Sequence, residues 1–85
     1  MCGMVSACVL IRSEKGRYSE VVERVKQFKE VKRAFPVLGR YDVVVDVEAE
    51  SFEKLGSTIL RIGQLAGVVF TETMVEVVTG EEKEA

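Results

Sequence analysis

The chain contains no histidine and no tryptophan, and only one proline and two cysteines in 85 residues. Asparagine is missing as well. Without histidine, and with Cys2 and Cys8 at a spacing that fits no metal motif, neither a metal nor a cofactor is expected. The cysteines read as free thiols, with a disulfide as the alternative. The absence of Asn, His and Trp beside abundant Lys, Arg and Glu suggests a thermophilic source, where intracellular disulfides are less rare. A basic surplus is also lacking: 12 Lys and Arg stand against 14 Asp and Glu, for a net charge of -2. Direct DNA binding is therefore not expected, because phosphate recognition leaves a basic footprint. No apolar run approaches the ~18 residues that span a bilayer, and the start of the chain lacks the basic opening of a secretory signal. The expectation is a cytoplasmic protein that does not enter membranes.

What is present is a globular composition, 47% hydrophobic and 31% charged. A chain of this length forms one domain, residues 1–85, with a core over about 4–78 and an acidic, frayed tail at 79–85. Alone it buries only about 60% of its unfolded surface, so association is a natural supplement.

Met4 to Arg12 is apolar in both alternating parities, as in a strand covered on both sides. Tyr18, Val21, Val22, Val25 and Phe28 follow with the spacing of one helical face. Val31 to Leu38 reads as a strand, and Pro36 assigns it to a sheet edge because proline cannot donate to a ladder. Gly39 and Arg40 then turn the chain into a third strand, Tyr41 to Ala49. Ser51 is a candidate N-cap for a second helix with Phe52, Leu55, Ile59 and Ile62 on its buried side. Gly56 and Gly63 each weaken that helix by about 1 kcal/mol, which is reasonable where a helix must approach the sheet closely. Gly67 ends it, and Val68 to Val78 is the last strand.

The order β-α-β-β-α-β predicts an α+β, ferredoxin-like fold: a four-stranded antiparallel sheet with both helices on one face. The other face is not polar, since the first and last strands are apolar in both parities. A small sheet with such a face is expected to be covered by a second copy, giving a dimeric α+β barrel.

Two constellations could carry function. In Leu38-Gly39-Arg40-Tyr41-Asp42 a carboxylate opens a strand that continues with three valines, although Asp disfavours strands. Asp42 either bonds a nearby turn N–H or faces a cation such as the ammonium of a free amino acid, with the Gly39 turn amides receiving its carboxylate. Thr71 and Thr73 are two apart, so their hydroxyls share a face with Val69, Val75 and Val77, while Glu72 points the other way. Thr is also simply a good strand former.

The stretches GRYDVVVDVEAESFEKL and LAGVVFTETMVEV, with FKEVKRAFPVLG before them, resemble the effector-binding RAM domain of Lrp/AsnC (feast/famine) transcriptional regulators. The shared pattern is a G-x-Y-D turn, a valine-rich strand, a helix and G-V-x-x-T-x-T, over about Ala7 to Val78. The resemblance implies a ferredoxin-like domain that dimerises through its sheets. Dimers of that family assemble into octamers or decamers that bind free amino acids where dimers meet. It assigns ligand-binding roles to Gly39, Tyr41, Asp42, Thr71 and Thr73, and makes full-length Lrp/AsnC regulators possible partners. Position 38, often small and polar in that family, is Leu here. The family's helix-turn-helix has no counterpart in this sequence, which resembles the stand-alone modules.

The competing reading is a small dimeric α+β barrel enzyme, such as a cofactorless monooxygenase or isomerase. Such enzymes need a proton-handling group, often His, and here Asp46 or Glu48 would have to serve. An RNA-recognition module is set aside, because the central strands carry no stacking aromatics and no basic surround. The expected role is therefore a non-enzymatic, amino-acid-sensing assembly module.

Overall fold

The computed structural model describes residues 4–77. The chain runs β1 (Val5–Ser13), α1 (Tyr18–Val25), β2 (Val31–Pro36), β3 (Val43–Ala49), α2 (Phe52–Gly63) and β4 (Val68–Val75). The strands form one antiparallel sheet in the order β2-β3-β1-β4. This is the ferredoxin-like arrangement that the element order predicts. Pro36 lies on an edge strand, where its missing N–H breaks no ladder.

Alternation decides which side chains go inside. Val43, Val45 and Val47 of β3 are buried, and the register sets Ile11, Val9 and Ala7 of β1 beside them. Val21, Val22 and Val25 of α1 and Leu55 and Ile62 of α2 close on this same cluster, so both helices cover one face. The first helix is shorter than its apolar spacing suggests. Gln27 and Phe28 donate to carbonyls three residues back, at 3.1 Å each. Such bonds tighten the chain out of the α-helix, and Phe28 reaches the core from the turn instead.

α2 begins where Ser51 predicts it, with the Ser51 Oγ accepting from the Lys54 N–H at 3.2 Å. Its buried stripe, however, is Leu55, Thr58 and Ile62, whereas Phe52 is 68% exposed. Phe52, in the first turn of α2, borders a hollow with Met4, Val75 and Val77.

The expectation for the helix glycines fails. A Cβ added at Gly56 or Gly63 meets nothing within 4 Å, so neither lies against the sheet. The close approach is at Gly67, where φ is +93° and a Cβ would sit 3.2 Å from Val21 Cγ2. Gly56 therefore costs helix propensity without a packing return inside the protomer. Gly56→Ala should stabilise the protein by about 0.5–1 kcal/mol and raise Tm by a few degrees. A fall in Tm instead would mean that a neighbouring chain packs on this flank.

Away from the helices the sheet is mixed rather than uniformly apolar. Register places Leu10, Val44 and Phe35 in a row, with Cys8 beside Met74 and Arg12 beside Phe70. Phe70 and Met74 are each 51% exposed. The same face carries Asp46 across from Cys8, Glu48 across from Ser6 and Glu72 across from Leu10. Cys8 is a free thiol, whereas Cys2 and the final residue of the expected last strand, Val78, lie outside the described residues.

Candidate functional site

The loop between β2 and β3 is wider than a two-residue turn. The strands stop at Pro36 and resume at Val43, and the Val37 N–H donates to the Asp42 carbonyl at 2.9 Å to close the loop. Gly39 has φ +134°, a conformation that favours glycine. Asp42 itself donates its N–H to the Ile11 carbonyl at 2.8 Å, extending the β1–β3 ladder by one bond.

The Asp42 carboxylate finds a partner that local reasoning could not supply. Its Oδ2 accepts the backbone N–H of Ser13 at 2.8 Å, from 29 positions away in sequence. The β1–β4 register shifts between Arg12 and Ser13, so a carboxylate at this spot caps the irregular end of β1. Asp42 is thus a clip between the loop and β1 rather than a bond within its own turn. One bond does not exhaust a carboxylate, which has about four acceptor positions. Asp42 also lines a hollow of about 320 Å³ whose other walls are Tyr18, Pro36, Val37 and Leu38.

Tyr41 turns to the helix-free face. Its hydroxyl donates to Glu72 Oε1, and Arg12 lies over its ring with the guanidinium carbon 5.8 Å from the centroid. The Arg12 Nε donates to the Arg40 carbonyl at 3.3 Å. The Tyr41 phenol is pushed above its ordinary pKa by the Glu72 hydrogen bond first, then by lost solvent and the Glu72 charge, against Arg12 and Arg40. Arg12 and Glu72 are the neighbours that sequence reasoning missed. Only the β1–β4 register brings them to the loop.

Thr71 and Thr73 do share a face, and it is the helix-covered one, since they pair with Ile11 and Val9. Both are half-buried. The structure therefore sets Thr71 near the end of β1 that Asp42 caps, but on the far side of β1 from the loop. Neither threonine lines the Asp42 hollow, and neither shares the face where Tyr41 meets Glu72.

The carboxylates considered for an enzyme lie elsewhere. Asp46 and Glu48 border an open hollow of about 420 Å³ on the helix-free face with Cys8, Arg33 and Met74. Burial, and then the Asp46 charge, push the Cys8 thiol up, which disfavours the nucleophilic thiolate. No group of three or more possible metal ligands occurs among the described residues. No helix among them is long and apolar enough to cross a membrane.

A four-stranded sheet with both helices on one face and a carboxylate-bearing loop at its end defines a small α+β, ferredoxin-like domain. The same backbone serves other tasks, for the Escherichia coli Tat proofreading chaperone NapD superposes with a TM-score of 0.78 at 19% identity, which shows the fold alone. The family profile is more specific: the Lrp/AsnC ligand binding domain matches residues 6–83, and the chain belongs to that family. The HTH-type transcriptional regulator FL11 of Pyrococcus abyssi is 33% identical over 76 residues, which cover 89% of this chain and 50% of the relative. The chain thus spans about half the length of the curated relatives it matches. Among solved structures, TTHA0845 of Thermus thermophilus matches with a TM-score of 0.83 at 30% identity, covering 88% of this chain and 95% of that one. Hypothetical protein PHS023 of Pyrococcus horikoshii matches with a TM-score of 0.82 at 29% identity, covering 95% and 99%.

Proposed function

We propose that this chain is an amino-acid-binding effector module that senses its ligand where dimers meet and acts by assembly rather than by catalysis. The observation that carries the proposal is Asp42: a half-buried carboxylate with spare acceptor capacity, tied to Ser13 and lining a hollow in a family of ligand-binding domains. An α-ammonium suits that carboxylate. Gly39 does not line the hollow in one protomer, so its turn amides would meet the ligand's carboxylate only once a neighbour closes the site. Tyr41 braces the loop against β4 through Glu72.

In one protomer the hollow lacks the hydroxyls of Thr71 and Thr73. In this reading a neighbouring dimer closes the pocket and supplies them. The half-apolar sheet face, with Leu10, Val44, Phe70 and Met74, is the surface through which two copies pair, and dimers then assemble into octameric or decameric rings. The relatives are transcriptional regulators about twice as long, so co-assembly with full-length regulators in the cytoplasm is the proposed route to gene control. Ligand binding and assembly are then linked reciprocally.

The test is a thermal-shift screen of the twenty amino acids, run alongside ultracentrifugation. At least one amino acid should raise Tm and shift the sedimenting mass. Thr71→Val with Thr73→Val keeps shape and strand preference, so it should leave the dimer intact, weaken binding and abolish the ligand-dependent mass change. Unaltered affinity in isolated dimers would place the site outside the interface.

A further inference from the structure

The charged groups of the helix-free face are sorted by strand. β2 carries Lys32 and Arg33, while β4 carries Glu72 and the residue just past its end is Glu76; all four are exposed. Lys32, Arg33 and Glu76 border the same open hollow on this face. Because β2 and β4 are the two edges of the sheet, the face has one basic edge and one acidic edge. The ion pairs among the described residues lie elsewhere, around α1 and at the start of α2. Arg33 stands across from Asp46 yet forms no ion pair among those residues, and its guanidinium lies over the Phe35 ring instead, 4.6 Å from the centroid. Register sets Arg33, Asp46, Cys8 and Met74 in one row, so Arg33 stands at a height between those of Glu72 and Glu76.

We infer that these two edges choose which chain the face accepts: Lys32 and Arg33 of one copy pair with Glu76 and Glu72 of a second copy. This rests on the sheet-to-sheet pairing proposed above. Two copies facing each other can be related by a twofold axis along the strands or across them. An axis across the strands lays β2 on β2 and β4 on β4. Lysine and arginine then meet their own kind, as do the glutamates, and like charges set together in an interface are costly. An axis along the strands lays β2 over the second copy's β4 and keeps every height. Each basic edge then meets an acidic one, and Phe35 comes over the Phe70 and Met74 of the second copy. Aligned sheets pack about 10 Å apart, a gap that lysine and arginine side chains can cross. The same charges reject a related chain whose β4 edge is basic or whose β2 edge is acidic.

Sedimentation equilibrium on the full chain tests this with exchanged charges. Arg33→Glu should weaken the dimer by about tenfold or more, because a twofold contact counts each change twice. Glu76→Arg should do the same. Arg33→Glu combined with Glu76→Arg exchanges the signs and restores the pair, so its dimer should return to within about threefold of the parent. Both residues are exposed, so the circular dichroism spectrum of each variant should be retained. With the axis across the strands, every one of these variants would still set like charges on like, and the combined variant would gain nothing. Single variants as tight as the parent, or a combined variant no tighter than the single ones, would overturn the charge selection while leaving a face-to-face dimer in place. A monomeric parent would remove the pairing itself, and the inference with it.

Discussion

Asp42→Ala is expected to destabilise the protein and to abolish measurable amino-acid binding, whereas Asp42→Asn should separate the two effects. The alanine variant leaves the half-buried Ser13 N–H without its acceptor, which costs about 1–3 kcal/mol. For a domain of this size that lowers Tm by roughly 4–8 °C per kcal/mol. The asparagine variant keeps a carbonyl oxygen where Oδ2 receives Ser13, so its stability should stay within about 1 kcal/mol of the parent. It removes the charge that attracts an ammonium, and ligand affinity should fall by about 1.5–3 kcal/mol, or roughly 10- to 150-fold. Thermal unfolding and calorimetry on the same two variants resolve the matter. Parental affinity in Asp42→Asn would reduce Asp42 to its structural clip.

The second large effect is expected from Leu10→Asp. Leu10 is half-buried in the centre of the helix-free face, between Val44 on one neighbour strand and Glu72 on the other. Its replacement does not touch the core on the opposite face, so the circular dichroism spectrum should be retained. In a face-to-face dimer the new carboxylate would be buried directly across from Glu72. That penalty is about 3 kcal/mol or more, enough to weaken pairing over a hundredfold. Ultracentrifugation at micromolar concentration should show the mass falling to that of a monomer. Ser57→Asp on the exposed side of α2 is the control and should leave the mass alone. A parent chain that is itself monomeric would remove the dimer from the proposed function.

Residues of this fold differ in how readable they are from the sequence. Val43, Val45 and Val47 alternate with half-buried neighbours, and Val21, Val22 and Val25 recur at helical spacing, so their burial follows from local periodicity. Ser51 caps α2 because the bond it needs lies three residues ahead. Pro36 finds an edge because it lacks an N–H. Expectations slipped where an element ended. Tyr41 and Asp42 belong to a loop that Val37 closes, and Phe52 stays exposed in the first turn of α2. Gly56 and Gly63 are misplaced for a different reason, since helical spacing tells which residues align but not which way the sheet lies.

The amino-acid sequence by itself determined the order of elements, the edge position of β2 and the common face of Thr71 and Thr73. Each of these depends on bonds or contacts within a few residues, or on what one residue type cannot do. Only the tertiary structure decided that this common face is the helix-covered one, that Asp42 clips Ser13 and that Tyr41 meets Glu72. Those outcomes depend on strand register, and register joins residues 29 and 31 positions apart. A one-residue slip of β1 against β3 or β4 would reverse the faces and break both contacts, while the local pattern of every strand stayed the same.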